Sequence, residues 1–204
     1  MPATAEEEHS QLKAMLRRNS VRFGSFTLVS GQTSDIYVDG KLTTCTAEAM
    51  PLVGRAFLRK MRARNWAPDA VGGLTLGADP IAFAIARESV DAGRAINAFV
   101  IRKESKKHGT QRFVEGLDQT SGLQVVILDD VCTTGGSTAQ AIERAQAAGM
   151  RILGAVCLVD RQMGAAELLE KQFGCALESV FTLSDLRGDP RVSTTETSET
   201  QSRP

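Results

Sequence analysis

The sequence predicts an α/β fold, a mostly parallel central sheet flanked by helices, with a small lobe at the N-terminus. Three observations predict it. From Pro68 onward, short apolar runs alternate with segments of helical period across short connections. Strands that are apolar throughout belong in a parallel sheet covered on both faces. The chain before about residue 45 lacks this rhythm, which sets it apart as a separate lobe. Finally, the run Val125–Leu128 leads into two carboxylates, a glycine-bearing polar loop and a helical segment. That strand–loop–helix order is where open α/β sheets bind ligands.

Each element rests on a local signal. Thr4-Ala-Glu-Glu7 is a capping box and opens a helix to about Asn19. Phe23–Val38 is rich in Phe, Thr, Val, Ile and Tyr and is broken by Ser30-Gly31, so it reads as a hairpin. Ala47–Arg64 reads as a helix with Pro51 in its first turns, where a missing N–H costs least. Then follow a strand at Ala70–Gly73, a helix at Pro80–Glu88, and strands at Ala95–Ile101 and Gln124–Leu128. A helix over Ser137–Ala148 is closed by Gly149. A strand at Ile152–Val159, a helix at Ala165–Phe173 and a strand at Glu178–Thr182 complete the order. The expected organisation is one domain over residues 1–192, with the lobe at about 1–45 and the core at about 46–190. Residues 193–204 are nearly devoid of apolar side chains and are expected to be disordered.

Composition excludes several classes of function. The 24 basic and 24 acidic residues cancel, so the chain lacks the basic excess of a nucleic-acid binder. No apolar run approaches the roughly 20 residues that span a bilayer. The start MPATAEEEHSQ is acidic and polar, unlike a secretory signal, and a cytoplasmic protein is expected. Cys45, Cys132, Cys157 and Cys175 are widely spaced without a CxxC pair, so no disulfide framework is predicted. With His9 and His108 the only histidines, a zinc site is not predicted either.

The stretch VVILDDVCTTGGST, Val125–Thr138, carries the chemistry. Gly135 and Gly136 can turn backbone N–H groups toward an anion, and the helix start behind them adds donors and partial positive charge. Thr133, Thr134, Ser137 and Thr138 add hydroxyls. This is a cradle for a phosphate monoester. Asp129 and Asp130 need another partner: sugar hydroxyls, a magnesium-bound polyphosphate or a developing cation. Phosphoribosyl diphosphate offers all of these. The bland alternative is a capping loop with turn aspartates, but an acid pair, a hydroxyl pair and two glycines in this order exceed what a cap needs. There is no GxxxxGK[ST] and no GxG, which leaves out the P-loop and the dinucleotide fingerprint.

LDDVCTTGGST resembles the diphosphate-sugar motif of the type I phosphoribosyltransferases. FTLVSGQTSDIYVD (Phe26–Asp39), IRKESKKHG (Ile101–Gly109) and LVDRQMGA (Leu158–Ala165) are similar to the orotate-using branch of that family. The resemblance spans about Phe23 to Arg161. It implies the type I phosphoribosyltransferase fold with an N-terminal hood, and transfer of phosphoribose to orotate in pyrimidine nucleotide synthesis. It also implies Mg2+ carried on the diphosphate, with no metal ligand from a side chain. Carried over by position, it implies that Arg102, Lys103, Lys106 and His108 contact phosphoribosyl diphosphate together with Asp129, Asp130, Val131, Cys132, Thr133, Thr134, Gly135, Gly136 and Ser137. Lys106, Asp129 and Asp130 are the implied catalytic residues; Thr133 and Arg161 are the implied orotate contacts.

In the family, the lysine-rich segment reaches the neighbouring subunit's site, so a homodimer sharing the Arg102–His108 loop is implied, with orotate and phosphoribosyl diphosphate as partners and neither nucleic acid nor membrane. Read without the resemblance, that segment is either a solvated basic loop or a set of cations that meets a departing diphosphate. Lys107 reads as a solvated lysine. Arg161 is either a surface ion pair or a bidentate contact to a planar anion. Tyr37 is a core aromatic or a stacking partner. Two departures stand out. Val29 and the Gly73–Pro80 segment lack lysines that many family members carry; Lys41 or the Gly77 turn are the candidates to replace them. The rival readings are a phosphoribosyltransferase for another base and a phosphoribosyl diphosphate sensor without turnover.

Overall fold

The computed structural model describes residues 3–27, 33–104 and 112–187. Helix α1, Ala5–Asn19, starts at the expected capping box: Thr4 Oγ1 accepts from the Glu7 N–H at 3.2 Å, and Glu7 Oε2 accepts from the Thr4 N–H at 2.7 Å. Strands β1 (Val21–Thr27) and β2 (Thr33–Val38) pair antiparallel as a two-stranded sheet. A short helix α2, Lys41–Thr44, follows. It was not expected, since four residues carry no helical period. Helix α3 runs Ala49–Ala63, two residues later than expected at its start.

Among the described residues the core sheet has six strands: β3 (Ala70–Leu74), β4 (Asn97–Ile101), β5 (Val114–Glu115), β6 (Gln124–Cys132), β7 (Arg151–Asp160) and β8 (Leu177–Thr182). They lie in the order β5-β4-β3-β6-β7-β8, parallel except for the two-residue edge strand β5. Helices α4 (Asp79–Asp91), α5 (Gly136–Ala147), α6 (Ala165–Phe173) and α7 (Leu183–Arg187) complete the chain. Among the described residues no helix is long and apolar enough to cross a membrane.

The strands are apolar throughout because both sheet faces are covered. Side chains alternate between faces along a strand. On β6, Val126 and Leu128 enter one core with Phe57 of α3, Ile81 and Ile85 of α4, and Leu12 and Leu16 of α1. Val125 and Ile127 enter the other core with Ile142 and Ala145 of α5 and Leu169 of α6.

One expectation about β6 needs correcting. The strand was expected to end at Leu128, with the acidic pair beyond it; it continues to Cys132. Its neighbour β7 keeps pairing with it, Asp129 opposite Cys157 and Cys132 opposite Asp160. Ladder hydrogen bonds therefore hold the two acids in extended backbone despite their polarity. The pleat then sends their side chains to opposite faces.

Candidate active site

The acidic pair is split by that pleat. Asp129 points toward α5, where its Oδ2 accepts from Thr138 Oγ1 at 2.9 Å and its Oδ1 from the Asp130 N–H at 2.9 Å. Asp130 points toward the hood side. Its Oδ2 lies 3.3 Å from Lys41 Nζ, which also meets Asp39 Oδ1 at 2.8 Å. Its Oδ1 accepts from the Val131 N–H at 3.0 Å.

Two glycines press on Asp130 and make it a tight site. A Cβ at Gly40 would sit 3.0 Å from the Asp130 Cβ; one at Gly77 would sit 2.4 Å from Asp130 Oδ1 and 3.5 Å from Asp129 Oδ1. The Gly73–Pro80 turn therefore closes directly over the acids. It is fixed to β4 by the Thr75 N–H on the Ile101 carbonyl, 2.9 Å, and Thr75 Oγ1 donates to Asp79 Oδ2 at 2.6 Å.

The electrostatics follow from this geometry. Burial, reinforced by the charge of Asp130, raises Asp129 to about 7, and the hydrogen bonds from Thr138 and the Asp130 N–H only partly offset it. Burial disfavours the Lys41 ammonium, but hydrogen bonds and charge from Asp39 and Asp130 outweigh it and bring Lys41 to about 12. The pair is thus unequal: Asp130 has a cation at hand and Asp129 has a hydroxyl.

Beyond β6, Gly135 takes φ +85° and starts α5, whose first residue is Gly136. A Cβ at Gly135 would also crowd Ala165 Cα at 3.2 Å, whereas Gly136 faces open space. Thr134, Gly136 and Ser137 are exposed and Thr133 is half-buried, so the helix start presents its donors to solvent. The glycine loop and helix start have the geometry expected of an anion cradle, with one correction to the hydroxyls. Thr138 is buried and committed to Asp129, so it does not offer its hydroxyl to a phosphate. The side chain of Cys132 is also buried, with Sγ 3.2 Å from Thr138 Oγ1; at that position backbone alone is available to a ligand.

Arg161, at the end of β7, is buried and is no surface ion pair. Its Nη2 donates to Ser34 Oγ at 3.0 Å and to the Ile36 carbonyl at 3.2 Å, which joins the core to the hood hairpin. Its Nε is buried and has no hydrogen-bond partner among the described residues. Burial and the neighbouring Arg187 lower its pKa from the ordinary arginine value. A guanidinium held among neutral oxygens with one orphaned N–H suits an anionic ligand. A second tie to the hood is the bidentate pair of Arg187 with Asp35, 2.7 Å at both contacts. Tyr37 is exposed on β2, 5.5 Å from the Phe26 ring, so it is not a core aromatic.

Arg102 and Lys103 follow β4. Arg102 Nη1 lies 3.9 Å from Glu115 Oε1. Lys106, Lys107, His108, Val29 and Ser30-Gly31 lie outside the described residues. Among the described residues no group of three or more His, Cys, Asp or Glu could hold a metal. Lys41, a candidate from the sequence for a missing cation, is placed on Asp39 and Asp130; its contact with Asp130 and the contacts of Arg144 with Arg102 and Lys103 are long-range and had no local signal.

Comparison with known proteins agrees with this arrangement. The phosphoribosyl transferase domain model matches residues 46–182. Orotate phosphoribosyltransferase of Mycobacterium avium is 43% identical over 182 residues, covering 89% of this chain and 98% of that protein. The crystal structure of the Mycobacterium tuberculosis orotate phosphoribosyltransferase in complex with Fe(III) dicitrate has a TM-score of 0.76 at 42% identity, covering 88% of this chain and 98% of that one. The same enzyme in complex with 5-phospho-α-D-ribosyl 1-diphosphate has a TM-score of 0.74 at 36% identity, covering 89% and 99%. With the domain model matched over residues 46–182 and relatives above 40% identity across most of both chains, the chain belongs to the phosphoribosyl transferase domain family.

Proposed function

We infer that the chain transfers the phosphoribosyl group from 5-phosphoribosyl 1-diphosphate to orotate, giving orotidine 5′-monophosphate and diphosphate in pyrimidine nucleotide synthesis. One observation carries the reading. The cradle at Thr133–Ser137 and the acids Asp129 and Asp130 sit side by side on one β6–α5 unit. A phosphate at the cradle places a ribose diol beside the carboxylates.

The residues divide the work. Backbone N–H groups from Thr133 to Ser137 and the exposed hydroxyls hold the 5-phosphate. Asp130, paired with Lys41, and Asp129 hold the ribose hydroxyls and favour positive charge as the bond to diphosphate breaks. Val131 and Cys132 contribute backbone to the same wall. Arg102, Lys103, Lys106 and His108 face the diphosphate, and Lys106 meets the charge that grows on it. Magnesium, when bound with the diphosphate, neutralises part of that charge. Arg161 and Thr133 receive orotate; among the described residues the Nε of Arg161 has no partner and its Nη2 meets only neutral oxygens, which supports an anionic base. Orotate brings the nucleophilic nitrogen, so the protein needs no activated Ser or Cys. Catalysis is positioning and charge stabilisation. The protein acts as a cytoplasmic homodimer with the Arg102–His108 segment crossing between subunits, and it binds neither nucleic acid nor membrane.

The test is the fall in orotate absorbance on adding phosphoribosyl diphosphate and Mg2+, with uracil, hypoxanthine and adenine in parallel. Turnover of orotate alone is expected. Turnover of a purine in place of orotate would sink the reading; tight binding of phosphoribosyl diphosphate without turnover of any base would make the protein a sensor.

A further inference from the structure

Helix α5 carries the phosphate cradle at one end and a second device near the other. Arg144 lies eight residues after Gly136, about 12 Å along the helix at the α-helical rise. Its Nη1 donates to the Arg102 carbonyl and its Nη2 donates to the Lys103 carbonyl at 2.9 Å. Its guanidinium lies 4.4 Å from the centroid of the Phe113 ring. One side chain on α5 thus grips the chain as it leaves β4 and again as it returns toward β5. Exposed ion pairs hold little, but a planar fork with both arms on carbonyls and a ring beneath it loses little freedom on bonding.

We propose that Arg144 is a positioning residue that fixes the backbone of Arg102 and Lys103 to the phosphate-binding helix. This rests on the reading that Arg102 and Lys103 serve the diphosphate. The link is mechanical. Arg102 follows Ile101, whose carbonyl holds the Thr75 N–H of the turn over Asp130. The cradle, the cationic segment and the turn above the acids are therefore tied to one helix. Without the tie, the segment must be ordered anew in each turnover, and the cost appears in kcat.

Arg144 also lines a hollow of about 520 Å³ with Phe113, Leu117 and Thr120. Truncation to Ala would enlarge it, so Arg144→Met, which keeps the apolar stem, is the variant of choice. For Arg144→Met, kcat with orotate should fall about tenfold, while inhibition by ribose 5-phosphate, which needs only the cradle, changes less than about twofold. Arg144→Lys, able to hold one carbonyl, should recover part of the loss. Trypsin provides a readout independent of activity, because it cuts after Arg102 and Lys103, whose carbonyls Arg144 holds. Cleavage there, located by mass spectrometry, should accelerate about tenfold in Arg144→Met.

Unchanged kcat and unchanged cleavage would overturn the proposal. So would a parallel loss of ribose 5-phosphate inhibition, which would show that Arg144 merely holds α5 together. If Arg144→Met does not fold, Phe113→Leu removes the ring under the guanidinium and should shift cleavage in the same direction; no shift there overturns the proposal too. Faster cleavage in Arg144→Met, with no orotate turnover by the wild-type protein, would sustain the clamp and sink the assigned reaction.

Discussion

At the scale of a single residue, the role proposed for Asp129 can be tested through its titration. Its carboxyl titrates at about 7 in the fold, against 3.8 for an ordinary aspartate, because it is buried and faces the charge of Asp130. Between those pH values the folded chain keeps a proton that the unfolded chain has released. The stability that this proton contributes is therefore whole below about pH 4 and is lost as the pH rises through 7. Above pH 7 the fold holds this charge in a buried place, a cost that the proposed ligand, with its diol and cationic centre, would relieve. Asp129→Asn removes that charge. Its melting temperature should exceed that of the parent by about 3 °C at pH 8, and the gap should close toward pH 5. Turnover should fall at least about 100-fold. A gap that is the same at both pH values would show that Asp129 does not carry the pH dependence. Lys41, raised to about 12, stays charged across this range and keeps the two acids unequal throughout.

The turn between β3 and α4 tests the site at the scale of an element. Gly77 lies so close to the acids that a Cβ would stand 2.4 Å from Asp130 Oδ1. Gly77→Ala must displace either the turn or the carboxylate. Leu74 and Ala78 anchor the two ends of the turn in the apolar cores, so stability should drop by about 1–2 kcal/mol while kcat/KM falls about 100-fold. Equal activity in parent and variant would place the substrate away from this turn.

The same scale shows what the sequence made legible. Strands β3, β4, β6, β7 and β8 announced themselves as apolar runs between glycines and polar turns, and α6 appeared at Ala165–Phe173 as read. The glycine loop at the start of α5 was legible because Gly135 and Gly136 follow a strand and open a helix. Strand β5 was not, because two residues carry no period; α2 and α7 were too short for the same reason. The extension of β6 through Asp129 and Asp130 was hidden as well. Local polarity argued for a strand end, and pairing with β7, which no local signal reports, overrode it. Lys41 on Asp130 and Arg161 on Ser34 join residues 89 and 127 positions apart, and such contacts exist only once the fold is made.

At the scale of the whole molecule, the proposed homodimer makes a claim that no single chain can test. Helix α4 exposes Phe83 and Val90, seven residues apart and so on one stripe, which gives an apolar face for a neighbour. If the segment with Lys106 serves the partner's site, each site is built from two chains: acids and cradle from one, Lys106 from the other. Lys106→Ala and Asp130→Asn should then each be close to inactive as pure dimers. Mixed under conditions that exchange subunits, they form hybrids in which one site receives the intact Asp130 of the first chain and the intact Lys106 of the second. The other site of each hybrid receives both defects. Random exchange makes half the dimers hybrids with one working site in two, so activity should return to about a quarter of the parent's. A segment that serves its own chain gives a different result, since every site in every dimer then keeps one defect and mixing restores nothing. Measured as the rate of orotate consumption before and after exchange, with gel filtration to establish the dimer, the two arrangements differ by the whole of the recovered activity.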